Sequence, residues 1–186
     1  MAKLISIANV SLDGYIEDAR GAFDWTAPND EVFSFITDLV RPAGTYLYGR
    51  RMYETMAVWE SDASLAAQSD LMAAFANVWQ AADKIVYSTT LRAASTSRTQ
   101  LERRFDPDVV RQLKASATSD MTIGGPGITA HAFDAGLVDE YQVFVHPLLV
   151  GDGKPAFAGA RHVALELLDA HRFSNGIEYL RYRAQS

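Results

Sequence analysis

The chain has 186 residues, and its 17 basic against 23 acidic side chains give a formal net charge of −6. With 48% hydrophobic and 22% charged residues, apolar burial can offset the entropy of ordering; this excludes global disorder, and the length suits one domain over residues 1–186. The negative balance has the wrong sign for a nucleic-acid partner, and the absence of cysteine removes disulfides, thiolate metal sites and cysteine nucleophiles.

Leu4 to Val10 reads as a buried first strand that ends in the turn sequence Ser-Leu-Asp-Gly at 11–14. A loop with Gly21, Trp25 and Pro28 follows, and Asn29 or Asp30 then caps a helix with Val32, Phe33, Ile36 and Leu39 on one face. Pro42 and Gly44 end it. Thr45 to Tyr48 is β-prone and stops at Gly49-Arg50-Arg51, after which Met52 to Met56 turns helical. Residues 65–82 make the longest helical stretch, and Lys84 to Tyr87 forms a strand before Ser88-Thr89-Thr90. Residues 92–104 are polar and ambiguous. Asp106-Pro107 starts a helix to Ala115, Met121 to Ile123 is a strand running into Gly124-Gly125-Pro126-Gly127, and Ile128 to Ala135 is helical until Gly136. From Glu140 three strand-like runs, 140–150, 163–173 and 177–183, make the end antiparallel, with Asn175-Gly176 as a two-residue hairpin signal. The fold class is α/β, with a mostly parallel sheet and an antiparallel C-terminal hairpin. Met1 to Asp18 reaches acidic residues too early for a signal peptide, and no apolar run is long enough to span a bilayer, so no membrane partner and a cytoplasmic location are expected.

In such sheets ligands gather beyond the carboxyl ends of the strands. Four segments fall there: Ser11 to Gly14, Gly49 to Arg51, Ser88 to Thr90, and Gly124 to Gly127. Glycines let backbone amides approach an anion, and the helix that follows adds its positive dipole end. Taken singly, the glycine pair is a common turn, the hydroxyls a common cap, and the arginines ordinary solvated side chains; their joint placement is phosphate-binding chemistry. Gly125 to Ala130 fits G-x-G-x-x-A, yet too few βα units follow for a Rossmann sheet, and Gly151 to Pro155 lacks the spacing of a P-loop. The four histidines show no metal-ligand spacing, so no metal is expected. The remaining candidate is the carboxylate pair Asp30 and Glu31 beside Trp25: Asp30 is either the first-turn acid of its helix or a carboxylate that accepts paired N–H groups from an aminopyrimidine edge.

The order SLDG, W25TAPND, YGRRMYE at 48–54, VYSTTL at 86–91, TIGGPGI at 122–128 and LVDEYQVFVHPLLVGDGKPAF at 137–157 resembles the dihydrofolate reductase superfamily. It is most similar to the reductase domain of the bifunctional riboflavin-biosynthesis deaminase/reductase (RibD C-terminal domain) and its stand-alone relatives. The resemblance covers nearly the whole chain and implies a dihydrofolate reductase-like sheet of about eight strands with helices on both faces. It implies NADPH as cofactor, with Gly49, Arg50 and Arg51 at its phosphates, and Ser88, Thr89 and Thr90 near the adenosine 2′-phosphate. Gly124, Gly125, Pro126, Gly127 and Ile128 would lie under the pyrophosphate and nicotinamide side, with a cis Gly-Gly peptide. Asp30 matches the acid that holds the pteridine in true dihydrofolate reductases, and Asp13, Trp25 and Asp30 are the implied substrate contacts, Asp30 also the catalytic one. Met52 in place of a threonine, and the run HPLLVGDGKP, depart from the folate enzymes and favour the riboflavin branch. The activity implied is therefore NADPH-dependent reduction of a small heterocycle such as 5-amino-6-(5-phosphoribosylamino)uracil. The alternatives are a dihydrofolate or pteridine reductase and, in another class, a non-catalytic module that binds NADPH or pterin. A homodimer through the C-terminal strands is also implied.

Overall fold

The computed structural model describes residues 1–157 and 162–185. Strand β1 (Leu4–Ser11) is followed by a short β2 (Tyr15–Asp18), a 3₁₀ turn at Asp24–Thr26 and helix α1 (Asp30–Val40). Next come β3 (Thr45–Gly49), α2 (Arg50–Met56), α3 (Val58–Ser61), α4 (Ala63–Ala66), α5 (Asp70–Ala81) and β4 (Asp83–Tyr87). The rest is β5 (Thr99–Glu102), α6 (Pro107–Ser116), β6 (Met121–Gly124), α7 (Pro126–Asp134), β7 (Glu140–His146), β8 (Gly153–Pro155), β9 (Leu165–Arg172) and β10 (Glu178–Ala184).

The eight-stranded sheet has the order β5-β4-β3-β6-β1-β7-β10-β9. Neighbours from β5 to β7 run parallel, whereas β10 lies antiparallel to both β7 and β9. The carboxyl ends of β4, β3, β6, β1 and β7 therefore share one edge. Alternation along β3 shows how both faces are covered: Leu47 enters a cluster with Val110 of α6 and Ile128 and Ala132 of α7. Tyr46 and Tyr48 point the other way, to Phe75 and Trp79 of α5. Beyond them Val32 of α1 packs on Phe144, Phe173 and Tyr179. Helices thus lie on both faces, as the resemblance implies.

Several boundaries differ from the sequence expectation for identifiable reasons. The stretch 65–82 divides because Ser69 caps α5, its Oγ accepting from the Met72 amide at 3.2 Å. Helix α7 begins at Pro126 rather than Ile128, since proline is suited to the first helical position. The run 140–150 stops at His146, and Pro147, with no N–H, follows. The C-terminal hairpin uses three loop residues, not two: Gly176 donates to the Phe173 carbonyl at 3.0 Å with φ +85°, and Phe173 donates to the Ile177 carbonyl at 2.9 Å. The polar stretch 92–104 contains β5, and β2 pairs antiparallel with β8 in a separate ribbon. Gly153 is required there, because a Cβ would fall 2.0 Å from the Glu17 carbonyl oxygen. Among the described residues no helix is long and apolar enough to cross a membrane.

Candidate cofactor and substrate site

At the β3–α2 corner Gly49 begins α2 without a side-chain cap. Arg50 then reaches over the end of β4: its Nη1 donates to Thr90 Oγ1 at 2.8 Å, while its Nε donates to Glu54 at 2.7 Å. Two residues forty positions apart are thereby joined into one donor surface, with Thr89 and Thr90 exposed beside it. Ser88 plays a different part. Its buried Oγ accepts from the amides of Thr90 at 3.2 Å and Leu91 at 3.0 Å, so it shapes the turn instead of facing a ligand. Arg103, just past β5, braces the same turn by donating to the carbonyls of Ser88 at 3.2 Å and Leu91 at 2.6 Å. Sequence reasoning missed Arg103, because the strand that ends before it was not recognised.

Arg51 turns away from Arg50, and its Nη1 donates to Glu17 at 3.1 Å on β2. The adjacent arginines thus take different partners, Arg50 the turn after β4 and Arg51 strand β2.

The second cradle follows β6. Gly125 takes φ +104°, a conformation in which a side chain is strained, and Pro126 opens α7. Helix geometry leaves the amides of Gly127 and Ile128 without intrahelical acceptors, and a Cβ on Gly127 would meet nothing within 4 Å. The Ile128 side chain is buried in the core, which leaves its backbone as the part that can face a ligand. There is no cis peptide among the described residues, so the cis Gly-Gly bond implied by the resemblance is absent.

The three candidate substrate residues lie at the β1 and β7 end. Asp13 accepts from the Ser11 hydroxyl at 2.6 Å, the Val150 amide at 3.1 Å and the Gly151 amide at 2.7 Å. These donors, the Ser11 hydroxyl foremost, hold its carboxyl down to about 2, and the carboxylate ties the β1 turn to the segment after β7. Trp25 and His146 form a T-shaped ring pair with centroids 5.2 Å apart, and the Trp25 indole nitrogen is buried with no partner among the described residues. His146, 3% exposed, has its Nε2 3.0 Å from Asn9 Oδ1, and burial pushes its pKa down. The imidazole is therefore uncharged at neutral pH. Asp30 is the exposed first residue of α1, and the cap is Asn29, whose Oδ1 accepts from the Val32 amide at 3.0 Å. Neighbouring Glu31 is held by the backbone and side chain of Ser174. Asn9 and His146 were not singled out from the sequence. The available signal was a polar residue within an apolar strand and a histidine at a strand end. Among the described residues no group of three or more acidic or histidine side chains is arranged to hold a metal.

The chain matches the RibD C-terminal domain family over residues 2–179. It is 26% identical over 175 residues to the uncharacterized protein YyaP of Bacillus subtilis, spanning 93% of this chain and 90% of that one. A putative riboflavin biosynthesis protein from Shewanella sp. PV-4 superposes over the whole of both chains with a TM-score of 0.78 at 21% identity. A diaminohydroxyphosphoribosylaminopyrimidine deaminase/5-amino-6-(5-phosphoribosylamino)uracil reductase from Thermotoga maritima gives a TM-score of 0.65 at 14% identity, over 99% of this chain and 57% of that one. At these identities the structural likeness establishes a shared fold.

Proposed function

The chain belongs to the RibD C-terminal domain family, and from that premise we propose that it is an NADPH-dependent reductase of a small heterocycle of the 5-amino-6-(5-phosphoribosylamino)uracil type. The observation that carries this reading is the Arg50–Thr90 bridge at 2.8 Å in line with the two glycine corners. A guanidinium and hydroxyls beyond β4 suit a 2′-phosphate, and the start of α7 with its open Gly127 suits a pyrophosphate. Thr89, Thr90 and Arg50 would hold the adenosine end, and the amides of Gly127 and Ile128 the middle. The bound dinucleotide supplies the hydride. The protein's own contribution is positioning: reacting carbons are brought to about 3–3.5 Å with water excluded, which needs no nucleophile or metal among its side chains.

Asp30, exposed and with no side-chain hydrogen bond among the described residues, supports pteridine reduction as a second reading, since its carboxylate can accept a pterin N–H edge. The test is NADPH oxidation followed by absorbance with the phosphoribosylaminouracil, its unphosphorylated form and dihydrofolate. Turnover of a pyrimidine is the expected result. Efficient reduction of dihydrofolate alone would establish the folate branch instead, and cofactor binding without any turnover would leave a binding module.

A further inference from the structure

Residues 88–97, which carry Thr89 and Thr90, cross the surface without helix or strand. We infer that Tyr53 is the positioning residue that holds this segment as a strap against α2, and through it sets the chain's preference for a nucleotide bearing a 2′-phosphate. This rests on the reductase reading and names a determinant of its cofactor selectivity. Tyr53 lies one helical turn after Arg50 on α2, so both side chains leave the same side of the helix. Arg50 meets the strap at Thr90, but that bond is exposed and water competes for it. Tyr53, 1% exposed, meets the strap in the interior: its Oη accepts from the amides of Ser95 at 2.8 Å and Thr96 at 3.1 Å. Leu91 and Ala94 of the strap pack on the same apolar cluster as the Tyr53 ring.

The phenol is fully used. The Thr99 hydroxyl donates to the Ser97 carbonyl at 2.8 Å, so its oxygen accepts from Thr96 Oγ1 at 2.8 Å. With the Thr96 proton already donated, its oxygen is left to accept from Tyr53 Oη at 3.0 Å. One phenolic proton donated and two amide bonds accepted thus fix the strap on α2. Glu60 continues the seam from α3 by accepting from the Ser97 amide at 2.6 Å and the Ser97 hydroxyl at 3.1 Å. Without the Tyr53 hydroxyl the two amides would turn to water. Thr90, in the same irregular segment, would lose its place beside Arg50, whose Nε keeps its other partner, Glu54, at 2.7 Å. The guanidinium and the threonine hydroxyls would then cease to face one phosphate together. A nucleotide without the 2′-phosphate asks nothing of that surface, so Tyr53 acts on the difference between two ligands.

The full chain is titrated by calorimetry with adenosine 2′,5′-bisphosphate and with 5′-AMP, alongside Tyr53→Phe, which keeps the ring. The ratio of the two affinities is expected to fall by about tenfold in the variant, the size of a lost hydrogen bond or two. Thr96→Val, which removes only the acceptor of the phenolic proton, should lower it by about threefold, and it decides the matter if Tyr53→Phe does not fold. Because the strap acts through Arg50, the loss in Arg50→Ala combined with Tyr53→Phe should fall well short of the product of the two single losses. An unchanged ratio in folded Tyr53→Phe, or in Thr96→Val where the first variant is unfolded, overturns the inference. Losses that multiply, or a parent chain that does not favour the bisphosphate, overturn it too. NADPH oxidation is read separately: turnover with an unchanged ratio in Tyr53→Phe keeps the reductase reading and removes this one, and a lowered ratio without turnover does the reverse.

Discussion

Gly125 lies backbone to backbone with Gly49: a Cβ on Gly125 would sit 3.2 Å from the Gly49 amide nitrogen and 3.4 Å from its Cα. The contact arises because β3 and β6 are parallel neighbours that end level, with Tyr48 opposite Gly124. The glycine there is demanded by the protein's own chain before any ligand arrives.

Gly125→Ala should therefore lower stability by about 1–3 kcal/mol through backbone strain and crowding, measured by denaturant unfolding without cofactor. Gly127→Val, placed in open space, should unfold within about 0.5 kcal/mol of the parent yet bind NADPH more weakly. Unaltered NADPH affinity in Gly127→Val would remove the α7 start from the cofactor cradle.

Arg50 and Arg51 should behave differently despite being adjacent. Arg50→Ala removes the guanidinium on Thr90 and should weaken NADPH by about 1.5–3 kcal/mol while leaving NADH nearly unchanged. Arg51→Ala breaks its pair with Glu17 and should leave the preference between the two cofactors intact. Fluorescence titration of both variants with both cofactors checks this; equal losses in the two variants would contradict their separate roles.

Asp13 links acid sensitivity to the loop after β7. Its carboxyl falls from an ordinary 3.8 to about 2 in the folded chain, chiefly through the Ser11 hydroxyl. The folded state thus favours the ionised group, so its stabilisation is complete above 3.8 and is lost as pH falls through about 2. Asp13→Asn should be less stable at neutral pH and show a flatter acid limb. Thermal midpoints of parent and variant across that range decide it, and parallel curves would place the acid sensitivity elsewhere.

Strand β9 ends the sheet next to β10 and keeps Leu165 42% and Leu167 53% exposed. An edge strand offers unpaired backbone groups as well as side chains, so we expect a second copy of the chain to cover it. Light scattering should give twice the chain mass, reverting to one chain mass when both leucines are changed to lysine. A single-chain mass for the parent across a concentration series, or a dimer that survives both substitutions, rejects this face.

The alternating β and α segments, the four strand-end segments and the antiparallel close were legible in the sequence. Each is written locally, in hydrophobic period, turn glycines and caps such as Asn29 and Asp106. Tertiary structure alone decided that Arg50 serves Thr90 while Arg51 serves Glu17, that Ser88 is consumed by its own turn, and that His146 lies against Trp25. It also decided that Gly153 exists to let β8 approach β2. Those outcomes follow from parallel pairing of strands far apart in the chain, such as β1 between β6 and β7. No local pattern encodes them, because register between distant strands is set only when their side chains meet in a common core.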